Sequence, residues 1–82
     1  MPKAPVVRGK ILIKFLVGLG YEIIRQRGSH VRLRKKNHIG EHNITIPLHD
    51  EIAKGTLNDI LSKVSLWVSI PKKELLQRLK DE

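Results

Sequence analysis

An α+β domain is the fold class this sequence predicts: two helices on one face of a three-stranded antiparallel sheet, with a short C-terminal helix. Three observations carry it. Leu12, Phe15, Leu16 and Leu19 recur at i, i+3, i+4 and i+7, which is one face of a helix. Leu57, Ile60, Leu61 and Val64 repeat that stripe later in the chain. Between the two, His30 to Lys35 alternates, with Val31 and Leu33 to one side and His30, Arg32 and Arg34 to the other, the period of a strand covered on one face.

The elements follow in order. The first helix runs over Lys10 to Leu19, and Gly18 and Gly20 mark its end, Gly20 being placed to take a left-handed conformation. Tyr21 to Gln26 is short and β-prone, and Gly28-Ser29 makes a tight reversal into the strand from His30 to Lys35. Lys36 to Gly40 reads as a polar loop. Asn43 to Pro47 is the third strand, with Ile44 and Ile46 inward and Pro47 ending it for want of an N–H. Thr56 has the character of an N-cap, with Asp59 three residues on as in a capping box. Pro71 opens a last helix whose apolar residues are Leu75, Leu76 and Leu79. With no repeat and no low-complexity tract, residues 1–82 form one expected domain, its core at about 9–70 and a helical extension at 71–80.

Composition limits what such a domain does. A chain of 82 residues buries only about 60% of its unfolded surface, and few of its residues are aromatic, so Leu, Ile and Val must fill the core. The absence of cysteine excludes disulfides and thiolate metal sites and fits a reducing compartment. Ile11 to Leu19, the longest apolar stretch, is broken by Lys14 and too short to cross a bilayer, and the N-terminus does not read as a cleavable leader. A soluble, cytoplasmic protein is expected. The net charge of +8 is one-sided: residues 1–40 hold ten basic residues against Glu22, whereas residues 41–82 are nearly balanced. A basic half joined to a neutral half fits a polyanionic partner, above all nucleic acid.

His30 is the candidate for chemistry. RNA carries its own nucleophile in the 2′-hydroxyl, so cleavage needs a base, an acid and positive charge on the phosphorane. Histidine is the side chain that exchanges protons near neutral pH, and here it opens a strand whose outward positions are arginines. Gly28 would let a phosphate approach, Ser29 and nearby amides would hold its oxygens, and Arg32, Arg34 and Lys35 would supply charge. His49, near Asp50 and Glu51, fits either a second proton carrier or a ring hydrogen-bonded to a loop carbonyl, and the structural role is favoured. His38 and His42 lie four apart in a hairpin connection, not a helix, and the carboxylates do not cluster, so no metal site is expected. Trp67 follows an amphipathic stripe and reads as packing, not base stacking.

Taken together, Lys10…Leu16…Leu19-Gly20-Tyr21, Gly28-Ser29-His30, Ile46-Pro47-Leu48-His49 and Gly55-Thr56-Leu57…Ile60-Leu61 resemble the HicA (YcfA-like) toxins of toxin–antitoxin pairs over about residues 9–70. The resemblance implies an α-β-β-β-α fold similar to double-stranded-RNA-binding domains and a ribosome-independent endoribonuclease acting on mRNA, and the scattered carboxylates and absent cysteine make its expected mechanism metal-independent. It also implies a catalytic histidine matching His30 and a HicB-type antitoxin as partner; no small-molecule cofactor is expected. Val31 stands where many such toxins carry a histidine or an aromatic, and the tail from Trp67 to Glu82 exceeds the smallest of them. A second reading keeps the fold and the RNA but not the cleavage: a binding module whose basic face grips phosphates. A third makes that face a dock for an acidic protein.

Overall fold

The computed structural model describes residues 7–82, and the order of elements is helix, three strands, helix, helix. Helix α1 (Gly9–Gly18) buries Leu12, Ile13, Phe15 and Leu16. Its end is set by Gly20, whose φ of +105° turns the chain back so that Tyr21 N donates to Leu16 O at 3.1 Å. The last turn of α1 has no basic residue of its own, and Lys35 supplies one from the sheet, its Nζ donating to Leu19 O at 3.1 Å.

Strands β1 (Glu22–Arg27), β2 (His30–Asn37) and β3 (Gly40–Pro47) form an antiparallel meander in the order β1-β2-β3. The helices lie over β2 and β3, so Val31, Leu33 and Ile46 are buried while every residue of β1 stays exposed. Strands β2 and β3 are longer than their alternation suggests. The expected loop at residues 36–40 shrinks to His38 and Ile39, because the Asn37 side-chain oxygen accepts from Ile39 N at 2.8 Å and Gly40 N at 3.2 Å.

Helix α2 (Lys54–Val68) lays Leu57, Ile60, Leu61 and Val64 on the sheet. It begins two residues before Thr56: Ala53, in extended conformation, accepts from Leu57 N at 2.9 Å, and no side chain caps the helix. The capping role expected of Thr56 therefore does not hold. Ser69 closes α2 in the left-handed region at φ +57° and leads through Pro71 into α3 (Lys72–Lys80). Leu75 and Leu79 of α3 join the same buried cluster as α1, α2 and the sheet. The result is the α-β-β-β-α order of a double-stranded-RNA-binding-domain-like fold with a third helix added. No helix is long and apolar enough to cross a membrane among the described residues.

Candidate functional site

The face of the sheet turned away from the helices collects the cations. Residues paired across antiparallel strands share a face, so the register reads out its rows. Arg27, His30 and Pro47 form one row, Arg25, Arg32 and Thr45 the next, then Glu22, Arg34 and Asn43, with Lys36 opposite Glu41 beyond them. His30 is exposed at the start of the central strand with Arg27 beside it and Arg32 two residues along. Among the described residues Arg25, Arg27 and Arg32 form no ion pair, whereas Arg34 is held by Glu22 at 2.8 Å. That contact, a charge-assisted hydrogen bond, lowers the Glu22 carboxyl below its usual range and raises the Arg34 guanidinium.

His30 owes its place to the turn before it. Gly28, at φ +58°, occupies the first central position of a two-residue reversal and Ser29 the second, the type II′ pattern that fits strand twist. Space around Gly28 is open, so a ligand can approach its backbone closely. The turn is tied to the end of β3, where Leu48 N donates to Ser29 O at 2.6 Å. The start of α1 closes the same seam: Gly9 N donates to His49 O at 2.9 Å and the Gly9 Cα lies against the Pro47 carbonyl. Arg8 and Lys10, both exposed, flank that contact.

Gly28, Ser29, His30, Arg32 and Arg34 thus come together. Lys35 does not join them, because alternation turns it to the helix side, where its Nζ caps α1. Arg25 and Arg27 were not among the expected residues, yet they complete the cationic face. Arg27 was within reach of the sequence, since a two-residue turn at Gly28-Ser29 pairs it with His30. Arg25 was not, because a β-bulge between Ile23 and Arg25 shifts the alternation of β1 by one residue.

The other histidines separate into distinct settings. His42 lies on the helix side of β3, stacked on Trp67 with ring centroids 5.6 Å apart, and its Nδ1 meets the Tyr21 hydroxyl at 2.6 Å. Burial and the Lys63 ammonium lower the His42 pKa, which favours the neutral ring that accepts from Tyr21 O–H. Burial pushes Tyr21 up to about 12. His38 sits in the β2–β3 turn at the opposite end of the sheet from His30. His49 is exposed, and its ring makes no hydrogen bond among the described residues; the structural contact at this position is its carbonyl, not the expected ring. No group of three His, Cys, Asp or Glu side chains converges among the described residues.

A family model described as the HicA toxin of bacterial toxin–antitoxin systems matches residues 9–66. No curated protein and no solved structure matches the chain.

Proposed function

Since the chain belongs to the HicA toxin family of toxin–antitoxin systems, we propose that it is the toxin of such a pair and a metal-independent endoribonuclease acting on mRNA. The observation that carries this reading is the placement of His30, an exposed imidazole in one row with Arg27 and one row from Arg25 and Arg32, which form no ion pair among the described residues. His30 removes the proton from a 2′-hydroxyl, and the freed oxygen attacks the adjacent phosphorus. The charge that grows on the phosphorane oxygens is met by Arg27 and Arg32, which stay protonated at neutral pH and cannot themselves act as bases. Gly28 and Ser29 hold the phosphate from the turn, and Arg25, Arg32 and Arg34 grip the neighbouring backbone. A proton for the leaving 5′ oxygen is available from solvent or from His49, which is exposed at this end of the sheet and whose ring makes no hydrogen bond among the described residues.

The metal-free part of the reading is supported by the dispersed carboxylates: two-metal nucleases need several converging on one point. An antitoxin of the HicB type would neutralise the protein by covering the arginine face, and the setting for both is the cytoplasm. The test is cleavage of an mRNA transcript by the purified protein in excess EDTA. Cleavage that persists supports the reading. Cleavage abolished by EDTA and restored by a divalent ion overturns the metal-free mechanism, and tight RNA binding with no cleavage in any condition leaves only a binding module.

A further inference from the structure

Among the described residues, one edge of the sheet is open. Because only His38 and Ile39 separate β2 from β3, Asn37 and Gly40 form a hydrogen-bonded pair, and alternation directs the main-chain groups of Gly40, His42, Ile44 and Ile46 to β2. Those of Glu41, Asn43 and Thr45 point off the sheet, and none is hydrogen-bonded among the described residues. The opposite edge, β1, is interrupted by its bulge, which spoils it as a template. Strand β3 keeps an unbroken register over eight pairs and carries neither lysine nor arginine to repel a neighbour. Beside it, between β3 and α2, runs a groove of about 460 Å³ lined by Ile44, Thr45, Thr56, Asp59, Ile60 and Lys63.

A strand added beyond β3 would send alternate side chains to opposite sides. Those opposite Asn43 and Thr45 would share the face of His30 and Arg32, and the others would enter the groove. Strands lie about 4.8 Å apart, so a residue beside Thr45 sits about 10 Å from Arg32, a gap that an arginine and a glutamate side chain span together over the short threonine. Among the described residues, Arg25, Arg27 and Arg32 on that face form no ion pair, and the chain carries a net charge of +8. We propose that an extended, acidic segment of a partner protein pairs with the free edge of β3 as a fourth strand, placing carboxylates over Arg32 and apolar side chains in the groove between β3 and α2. The consequence for activity, inhibition by the same strand that binds, rests on the reading of the arginine face as the RNA-cleaving one; the binding itself does not.

The test uses the whole chain and a capped peptide of alternating Glu and Val, about as long as β3. On addition of peptide, amide exchange at Asn43 and Thr45 should slow about tenfold or more, and a Lys-Val peptide should leave both unchanged. Thr45→Pro, acceptable on an edge strand, removes one donor and should weaken the Glu-Val peptide about tenfold with the circular dichroism unaltered. Should that variant fail to fold, a peptide N-methylated on the residues facing β3 replaces it and should fail to bind the unaltered chain. Peptide contacts confined to β1 or α1 would overturn the proposal. So would protection of Asn43 and Thr45 by self-association of the chain alone, or by an RNA oligonucleotide. A chain that binds the peptide at β3 but cleaves no RNA keeps the edge and loses the ribonuclease.

Discussion

Gly9→Ala is a one-methyl change that tests how the His30 end of the sheet is held. A Cβ at Gly9 would overlap the Pro47 carbonyl oxygen, with Pro47 C at 3.0 Å and Leu48 Cα at 3.1 Å. All three neighbours are backbone, so no side-chain rotation relieves the clash. Either α1 lifts from the end of β3, breaking the hydrogen bond from Gly9 N to His49 O, or the Pro47–His49 segment moves and pulls on Ser29 through Leu48. Overpacking of this kind costs about 1–3 kcal/mol and the lost main-chain hydrogen bond about 1 kcal/mol more. The sum, about 2–4 kcal/mol, is a large part of the stability of a small domain. At about 4–8 °C per kcal/mol, Tm should fall by roughly 10–30 °C in a thermal melt followed by circular dichroism. Gly55→Ala is the matched control. Nothing lies near the added methyl and the residue is already helical in α2, so stability should rise, by up to about 1 kcal/mol. A Gly9→Ala protein that melts like the wild type, or a Gly55→Ala protein that loses as much, would refute the seam as drawn.

Three further outcomes are expected. Arg25→Ala and Arg32→Ala should each flatten the salt dependence of RNA affinity by about one contact's worth, a slope change of about 0.7–0.9, and an unchanged slope places the RNA elsewhere. Glu22→Gln should tighten RNA binding by freeing Arg34 from its 2.8 Å ion pair; equal or weaker affinity would mean that Arg34 does not reach the RNA. For His42, burial and Lys63 lower the folded-state pKa, so the unfolded chain takes up the proton first, and stability should fall as pH drops from about 6.5 toward the folded-state value. His42→Gln should remove that slope in denaturant titrations across the window, and a slope that survives assigns the effect to another group.

The sequence carried the frame well where periodicity had one cause. The helical stripes from Leu12 and Leu57 and the alternation about Val31 and Leu33 each arise from burial on a single side, and the buried cluster holds them all but Leu19, which packs against it partly buried. It carried strand ends poorly. The Asn37 side chain that closes a two-residue turn is a local hydrogen-bonding event with no hydrophobic signature, so β2 and β3 extend past where their apolar residues stop. Thr56 shows the same limit at a helix start, since α2 began earlier from Ala53 without any polar side chain to announce it. Within the candidate site, Gly28, Ser29, His30, Arg32 and Arg34 were legible because a turn and a clean strand fix their side. Lys35 was grouped with them by charge alone, and its parity on β2 sets it on the helix side. Arg25 was hidden by a bulge that only pairing with β2 defines.

The central claim is that His30 performs the proton transfer, and the most direct measurement is the RNA cleavage rate of His30→Ala beside its RNA affinity and thermal stability. His30 is exposed and Val31 beside it is buried, so the substitution opens no cavity, and stability should change by less than about 0.5 kcal/mol. RNA affinity and antitoxin binding should persist, since the arginines remain. Cleavage should drop by about 10² to 10⁴, the usual worth of a general base. A folded His30→Ala protein that cleaves RNA at near wild-type rate would contradict the account and move the chemistry to His49 or to another surface.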